Sequence, residues 1–275
     1  MKTHLHHLLR PAALLVASAL LAGGANADPG APALPVRAHA HNDYEHARPL
    51  FDALDHGFLS IEADIYLVDG QLLVAHDRDK VQPARTLAAL YLDPLRERIR
   101  QNGGHVHPDG PPIILLIDVK SEAGATYAVL HEMLARYAGM LTTYRGARIE
   151  PGAVTAIVSG NRARAVMAAQ AVRYAALDGR IDDLTTDAPA TLIPLVSDNW
   201  AKVFSWRGDI PMPAAERERL REFVRLAHAR GRLLRFWNNP ERPEVWRELR
   251  AAGVDLIGTD DLPRLRDFLR TPPGG

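Results

Sequence analysis

The sequence predicts an α/β chain folded as a (β/α)8 barrel. Three observations point there. Short apolar runs of strand length recur along the chain, and amphipathic stretches fill the gaps between them. The length, 275 residues, is a common size for one such barrel. Every strong run also passes, at its C-terminal end, into ionisable or amide residues, the end where a barrel carries its chemistry. An open doubly wound sheet is the structural alternative.

The elements follow in order. Lys2 and Arg10 precede an unbroken small and apolar run, Ala12–Ala22, and a small-x-small site at Ala25-Asn26-Ala27. That is the layout of a secretory signal cleaved after Ala27, because the run is too short to span a bilayer. Residues 1–27 are therefore expected to be a signal peptide, and residues 28–275 a single exported domain, periplasmic or secreted. Val36–His41 reads as the first strand and Leu59–Val68 as the second. Asp69-Gly70 then reverses the chain into Leu72–His76, since both central positions of such a turn need φ > 0. The barrel is thus expected to carry a β-hairpin extension after its second strand. Ile113–Val119, apolar but for Asp118, is the clearest buried strand. Val154–Val158 is the fourth, with Tyr174–Leu177 and Leu192–Val196 next. Leu233–Trp237 and Val254–Gly258 complete the set. Helical patterns cover Pro49–Asp55, Thr86–Gln101, Thr126–Leu141, Arg162–Val172, Ala214–Arg230, Pro243–Ala252 and Leu262–Leu269. Ala214–Arg230 shows the period plainly, with Leu220, Phe223, Val224 and Ala227 on one face.

Composition narrows the function. Lys+Arg and Asp+Glu are both 33, so no basic excess exists to neutralise a nucleic-acid backbone. A local site for a small phosphate compound is untouched by that argument. The chain has no cysteine, which removes disulfides, thiolate metal sites and cysteine nucleophiles. Any metal must be held by oxygen or imidazole.

Glu62 and Asp64 are the most informative pair. At i and i+2 of a strand they share one face, and Ile61, Ala63 and Ile65 mark the segment as buried. Two buried carboxylates repel and lose hydration unless something positive lies between them. A hard divalent cation, Mg2+ or Ca2+, suits such oxygen ligands, and Asp118 at another strand end is a third candidate. The structural reading of the same residues is an ion network with Lys120 and an arginine. His41 and His76 each end a strand, and two imidazoles beside a metal suit proton transfer near neutral pH. His39 shares the face of His41, as a supporting partner or a ligand. His105 and His107 fall in a loop composition and read as exposed. Trp200, Phe204 and Trp206 read as packing over the barrel top, or as a pocket or peripheral lipid contact. Trp237 is a candidate pocket wall. Arg235, on the same face, reads as a phosphate or carboxylate contact, or as the arginine that holds Glu62.

These residues resemble a known group. His41-Asn42-Asp43-Tyr44, Glu62-x-Asp64, Asp69-Gly70, His76-Asp77 and Asp118-x-Lys120 are similar to the phosphatidylinositol phospholipase C-like phosphodiesterases, which include the glycerophosphodiester phosphodiesterases. The sequence more closely resembles the family named after altered inheritance of mitochondria protein 6. The marks are the His-x-His-Asn-Asp-Tyr start, Arg48–Leu54, Glu62-Ala63-Asp64, Ser197–Trp200, Arg235-Phe236-Trp237 and Gly253–Leu256 running into Thr259–Leu262. The resemblance implies a metal-dependent phosphoric diester hydrolase acting on a glycerophosphodiester or phospholipid-like substrate. It implies His41 and His76 as the catalytic pair, Glu62, Asp64 and Asp118 as metal ligands with Asn42 beside them, and Lys120 as a phosphate contact. Arg235, Trp237 and His39 complete the expected substrate site. Glycerophosphodiesterases carry Arg-Gly where this chain has Asn42-Asp43, and Glu where it has Asp118. Two rival readings remain: an amidohydrolase-type metal hydrolase, which lacks its further histidines on later strands here, and a non-catalytic exported binding protein.

Overall fold

The computed structural model describes residues 35–272. The expected signal segment and its cleavage point lie outside them. In chain order the strands are β1 (Val36–Ala40), β2 (Phe58–Val68), β3 (Gln71–Val74), β4 (Ile113–Val119), β5 (Thr143–Arg145), β6 (Arg148–Glu150), β7 (Val154–Gly160), β8 (Val172–Arg173), β9 (Ala176–Gly179), β10 (Leu195–Asn199), β11 (Leu233–Trp237) and β12 (Leu256–Thr259). The α-helices are α1 (Phe51–Asp55), α2 (Asp93–Gln101), α3 (Ala123–Ala135), α4 (Arg164–Ala169), α5 (Trp200–Val203), α6 (Ala214–His228), α7 (Pro243–Ala252) and α8 (Leu262–Arg270).

The main sheet runs β1, β2, β4, β7, β9, β10, β11, β12 and returns to β1, so eight parallel strands close into a barrel. Closure is made at β1, where His39 lies beside Ser60 of β2 and Gly258 of β12. β3 pairs antiparallel with β2 from Ile65↔Val74 to Val68↔Gln71. Asp69 and Gly70 connect them with φ of 48° and 78°, the two positive values that an Asp-Gly turn supplies. A small antiparallel sheet, β6-β5-β8, is hydrogen-bonded separately from the barrel, and its Tyr144 packs with Leu116 and Ile157 of the barrel interior.

Strand alternation divides the core. Ile61, Ala63 and Ile65 of β2 face the helices, as do Leu115, Ile117 and Val119 of β4. The opposite face fills the barrel with Leu116, Ile157, Ala176, Leu195 and Leu256. Two residues further along four of these strands stand Asp118, Ser159, Asp178 and Ser197, on the same face. Each strand therefore changes from apolar to polar at one level, and that level is the floor of the site.

Two strands lie later along the chain than the sequence reading places them. Expected at Tyr174–Leu177 and Leu192–Val196, they lie at Ala176–Gly179 and Leu195–Asn199. Apolar residues marked the entries to these strands, whereas the polar ends that continue them look like loop. The helix expected over Thr126–Leu141 starts earlier, because Glu122 caps it by accepting the N–H groups of Gly124 (2.8 Å) and Ala125 (2.7 Å).

Candidate active site

The parallel register places Asp64 of β2 beside Asp118 of β4, and Asp118 beside Ser159 of β7. Glu62 lies two residues earlier on the same face as Asp64. One carboxylate oxygen from each of Glu62, Asp64 and Asp118 lies within 4.8 Å of the others. Glu62 and Asp64 are buried, and Asp64 Oδ1 and Asp118 Oδ1 are buried with no hydrogen-bond partner. Burial, then the Glu62 charge, pushes the Asp64 carboxyl up to about 6. Burial also raises Asp118. Burial acts to raise Glu62 as well, but the Arg235 guanidinium and the His39 hydrogen bond outweigh it and hold Glu62 well below the usual range. Lys120 Nζ reaches both Asp64 Oδ2 and Asp118 Oδ2 at 3.1 Å.

Gly160, the last residue of β7, makes room for this cluster. Its φ is +64°, and a Cβ there would stand 1.9 Å from Asp118 Oδ1. Unpartnered buried carboxylate oxygens converging from two strands are the donor set of a hard divalent cation. The residues present fit such an ion.

The two histidines flank the acids. The His41 Nδ1–H donates to Asp260 Oδ1 at 2.8 Å, and its Nε2 lies 4.0 Å from Glu62 Oε2. Burial acts to lower the His41 pKa, but the Asp260 hydrogen bond and the Glu62 charge together raise it. His76 reaches the site from the end of the hairpin. Its Nδ1 is 3.0 Å from the Tyr44 hydroxyl and 3.4 Å from Asp64 Oδ2. The single Tyr44 hydroxyl proton is shared between Asp64 Oδ2 (2.6 Å) and Asn42 Oδ1 (2.7 Å). Asn42 lines the cavity with φ 49°, a left-handed value that asparagine tolerates.

The cavity over these groups has a volume of about 400 Å³. His41, Asn42, Glu62, Asp64, His76, Asp118, Lys120, Arg235 and Trp237 all line it, so the structure brings nine of the ten expected site residues to one cavity.

His39 is the exception and a correction. It is fully buried under Glu62, with Nδ1 accepting from Ser60 Oγ (2.8 Å) and Nε2–H donating to Glu62 Oε2 (3.2 Å). Burial, then the Arg235 charge, lowers its pKa to about 4, so the ring is neutral and both nitrogens are occupied. It positions Glu62 and does not line the cavity. Arg235, also buried, lies 3.6 Å from Glu62 Oε2 while lining the cavity.

Comparisons with known proteins place the chain in a family. Residues 28–178 match the AIM6-like phosphodiesterase domain, more than half of the chain. The chain belongs to the AIM6-like phosphodiesterase family. Residues 234–263 also match the glycerophosphoryl diester phosphodiesterase family. A relative named altered inheritance of mitochondria protein 6 homolog, from Arthroderma benhamiae, is 28% identical over 86% of this chain and 84% of its own. The Eremothecium gossypii protein of that name is 28% identical over 88% of this chain and 74% of its own. The fold is similar to that of a solved glycerophosphodiester phosphodiesterase from Parabacteroides distasonis, with a TM-score of 0.51 and 14% identity over 86% of this chain and 96% of that one. As an AIM6-like phosphodiesterase the chain is a phosphoric diester hydrolase.

Other expectations can be placed in this AIM6-like barrel. Trp200 and Trp206 are buried, with the Trp200 Nε1–H donating to Trp206 O at 2.9 Å, so they pack beneath the surface. His105 is exposed, but His107 is buried with Nε2 3.3 Å from Phe58 O, a second correction. The Pro-Asp-Gly composition around it reads as loop, while the chain folds back so that His107 meets the start of β2. Four residues near the site were not singled out in the sequence: Tyr44, Asp178, Arg180 and Asp260. Tyr44 and Asp260 lie within the His-Asn-Asp-Tyr and Thr-Asp-Asp-Leu motifs, and Asp178 and Arg180 lie beyond the end expected for their strand. No described helix is long and apolar enough to cross a membrane.

Proposed function

We propose that this AIM6-like chain is a metal-dependent phosphodiesterase acting on a glycerophosphodiester or phospholipid-like substrate by two-histidine acid–base catalysis. The observation that carries the reading is the set of unpartnered oxygens of Asp64 and Asp118 beside Glu62, in one cavity with His41 and His76.

Glu62, Asp64 and Asp118 would hold the ion, with Asn42 as a further oxygen ligand where its amide exchanges Tyr44 for it. Bound there, Mg2+ or Ca2+ supplies positive charge to offset that of the reacting phosphate. Lys120 adds a second cation at the same place. His41 suits the base, because Asp260 fixes its Nδ1–H and stabilises the protonated ring it becomes. It takes the proton of the attacking hydroxyl, whether from water or from a neighbouring substrate hydroxyl. His76 then protonates the departing alkoxide, its ring held by Tyr44. Trp237 borders the cavity as a wall for the ester arm. The sequence pattern of residues 1–27 supports export.

Hydrolysis of bis(p-nitrophenyl) phosphate and a panel of glycerophosphodiesters tests the chemistry. His41→Ala and His76→Ala should each lower kcat by roughly 10²–10⁴-fold. Phosphorus NMR of the products separates a cyclic phosphate from direct hydrolysis. Full activity in both variants would remove the histidines from the mechanism.

A further inference from the structure

The wall of the cavity formed by β9 and β10 has no part in the chemistry above, yet it is built around an ion pair between a buried carboxylate and a half-buried guanidinium. β9 is four strands from β1 in the ring of eight, so this wall faces His41. Asp178 is 1% exposed inside the barrel. Its Oδ2 accepts from Ser159 Oγ (2.7 Å), Ser197 Oγ (2.5 Å) and Arg180 Nη1 (2.7 Å). Arg180 Nη1 is further fixed by Gly179 O at 2.8 Å. A second guanidinium, Arg162, donates to the Asp178 carbonyl. The nearby Asp198 carboxylate is engaged by the main-chain N–H groups of Ile181 (3.2 Å) and Asn199 (2.8 Å).

This arrangement holds Arg180 rather than neutralising it. Nη1 carries the short contacts, whereas Nη2 has only a 3.4 Å contact with Ser159 Oγ, and the residue lines the cavity. A guanidinium anchored by one nitrogen and open at the other is preorganised for an oxyanion. It does not address the phosphate at the acid triad. Asp118 is on β4 and Arg180 follows β9, two strand spacings round the barrel, roughly 10 Å between backbones, and Nη2 reaches only as far as Ser159 on the strand between them. Lys120 already stands at the triad itself.

We infer that Arg180, clamped by Asp178 opposite His41, is a specificity-determining contact for an oxyanion group, a carboxylate or a phosphate, on the non-reacting arm of the diester. This rests on the phosphodiesterase reading and names a feature of its substrate. The enzyme then prefers diesters whose retained alcohol carries a second negative charge.

The test uses p-nitrophenyl phosphodiesters whose other arm is propyl, 2-carboxyethyl, 2-phosphoethyl or choline, each also made with a hydroxyl beside the ester carbon so that either nucleophile is available. The wild type should favour an anionic arm over propyl by roughly ten- to a hundredfold in kcat/KM, mainly through KM. The carboxylate and phosphate arms show which oxyanion fits. Arg180→Gln should bring the anionic-to-propyl ratio close to one, and Arg180→Lys should restore part of it. Asp178→Asn should lower the ratio in the same direction, because it releases the guanidinium. A structural role would lower turnover of all four arms alike and leave the ratio unchanged. Should Arg180→Gln fail to fold, because it strands the Asp178 charge, the double change Asp178→Asn with Arg180→Gln removes both charges and carries the same expectation. Turnover of the propyl diester with no anionic preference, or a preference that survives Arg180→Gln, overturns the inference alone. No turnover of any arm overturns the catalytic reading, and this one with it.

Discussion

At the scale of the residue, Asp64 decides between an ion site and a structural ion network. Its carboxyl is raised from 3.8 to about 6 by burial and by Glu62, so the metal-free fold favours its protonated form. The sign follows from linkage. A carboxyl raised on folding stabilises the fold at low pH, and that stability is lost as pH rises from 3.8 through about 6. At pH 8 the ionised Asp64 therefore destabilises the metal-free protein by about 1–3 kcal/mol. Asp64→Asn should raise stability by that amount in EDTA at pH 8 and change it little at pH 4. In the wild type, Mg2+ or Ca2+ at a hundred times its Kd should add about 2.7 kcal/mol, and in Asp64→Asn it should add almost nothing. Urea unfolding at both pH values, with EDTA and with metal, reads all four quantities. A network that exists only to pair with Lys120 would make Asp64→Asn destabilising in EDTA and leave metal without effect.

At the scale of the element, the hairpin β2–β3 carries the chemistry outward from the barrel. Asp64 stands on β2, and β3 returns the chain so that His76 comes back within 3.4 Å of it. The return depends on two consecutive positive φ values at Asp69 and Gly70, 48° and 78°. Replacing both by alanine costs about 1–2 kcal/mol per residue held in the left-handed region. The double variant should unfold at lower urea and lose kcat as His76 moves, with metal affinity retained, because the triad does not use the turn. Isothermal titration and steady-state kinetics separate the two effects; loss of metal affinity with the turn would show that the triad depends on the hairpin.

The same element shows what sequence makes legible. Glu62 and Asp64 stood out because alternation puts them on one face between residues that must be buried, and Asp69-Gly70 announced its turn. Strand ends rich in polar residues were harder. Asp178-Gly179-Arg180 has the composition of a loop, and only the pairing of β9 with β7 and β10 makes it strand and wall. The role of His39 was also hidden. Alternation gives its face, but not its depth, and two residues separate the half-buried His41, just past the end of β1, from a ring enclosed by Ser60 and Glu62.

At the scale of the whole molecule, the barrel acts as a ring that brings distant sequence together at one level. His41 and Asp260 are 219 residues apart and meet at 2.8 Å because β1 closes the barrel against β12. Below that level the interior is apolar; at it, two buried carboxylates are tied to arginines, Glu62 to Arg235 and Asp178 to Arg180. Buried charges of this kind destabilise a fold unless paired. Here the pairs border the cavity, which is the place where their fields act on a substrate. Asp64 and Asp118 have no arginine and share Lys120, and each keeps an unpartnered oxygen within reach of Glu62. The measurement that tests the central claim most directly is hydrolysis of bis(p-nitrophenyl) phosphate by the wild type and Glu62→Gln, with Mg2+ or Ca2+ and with EDTA. The expected result is turnover by the wild type that disappears in EDTA, returns when metal is restored, and is lost in Glu62→Gln under every condition. Turnover that persists in EDTA and in Glu62→Gln would contradict it.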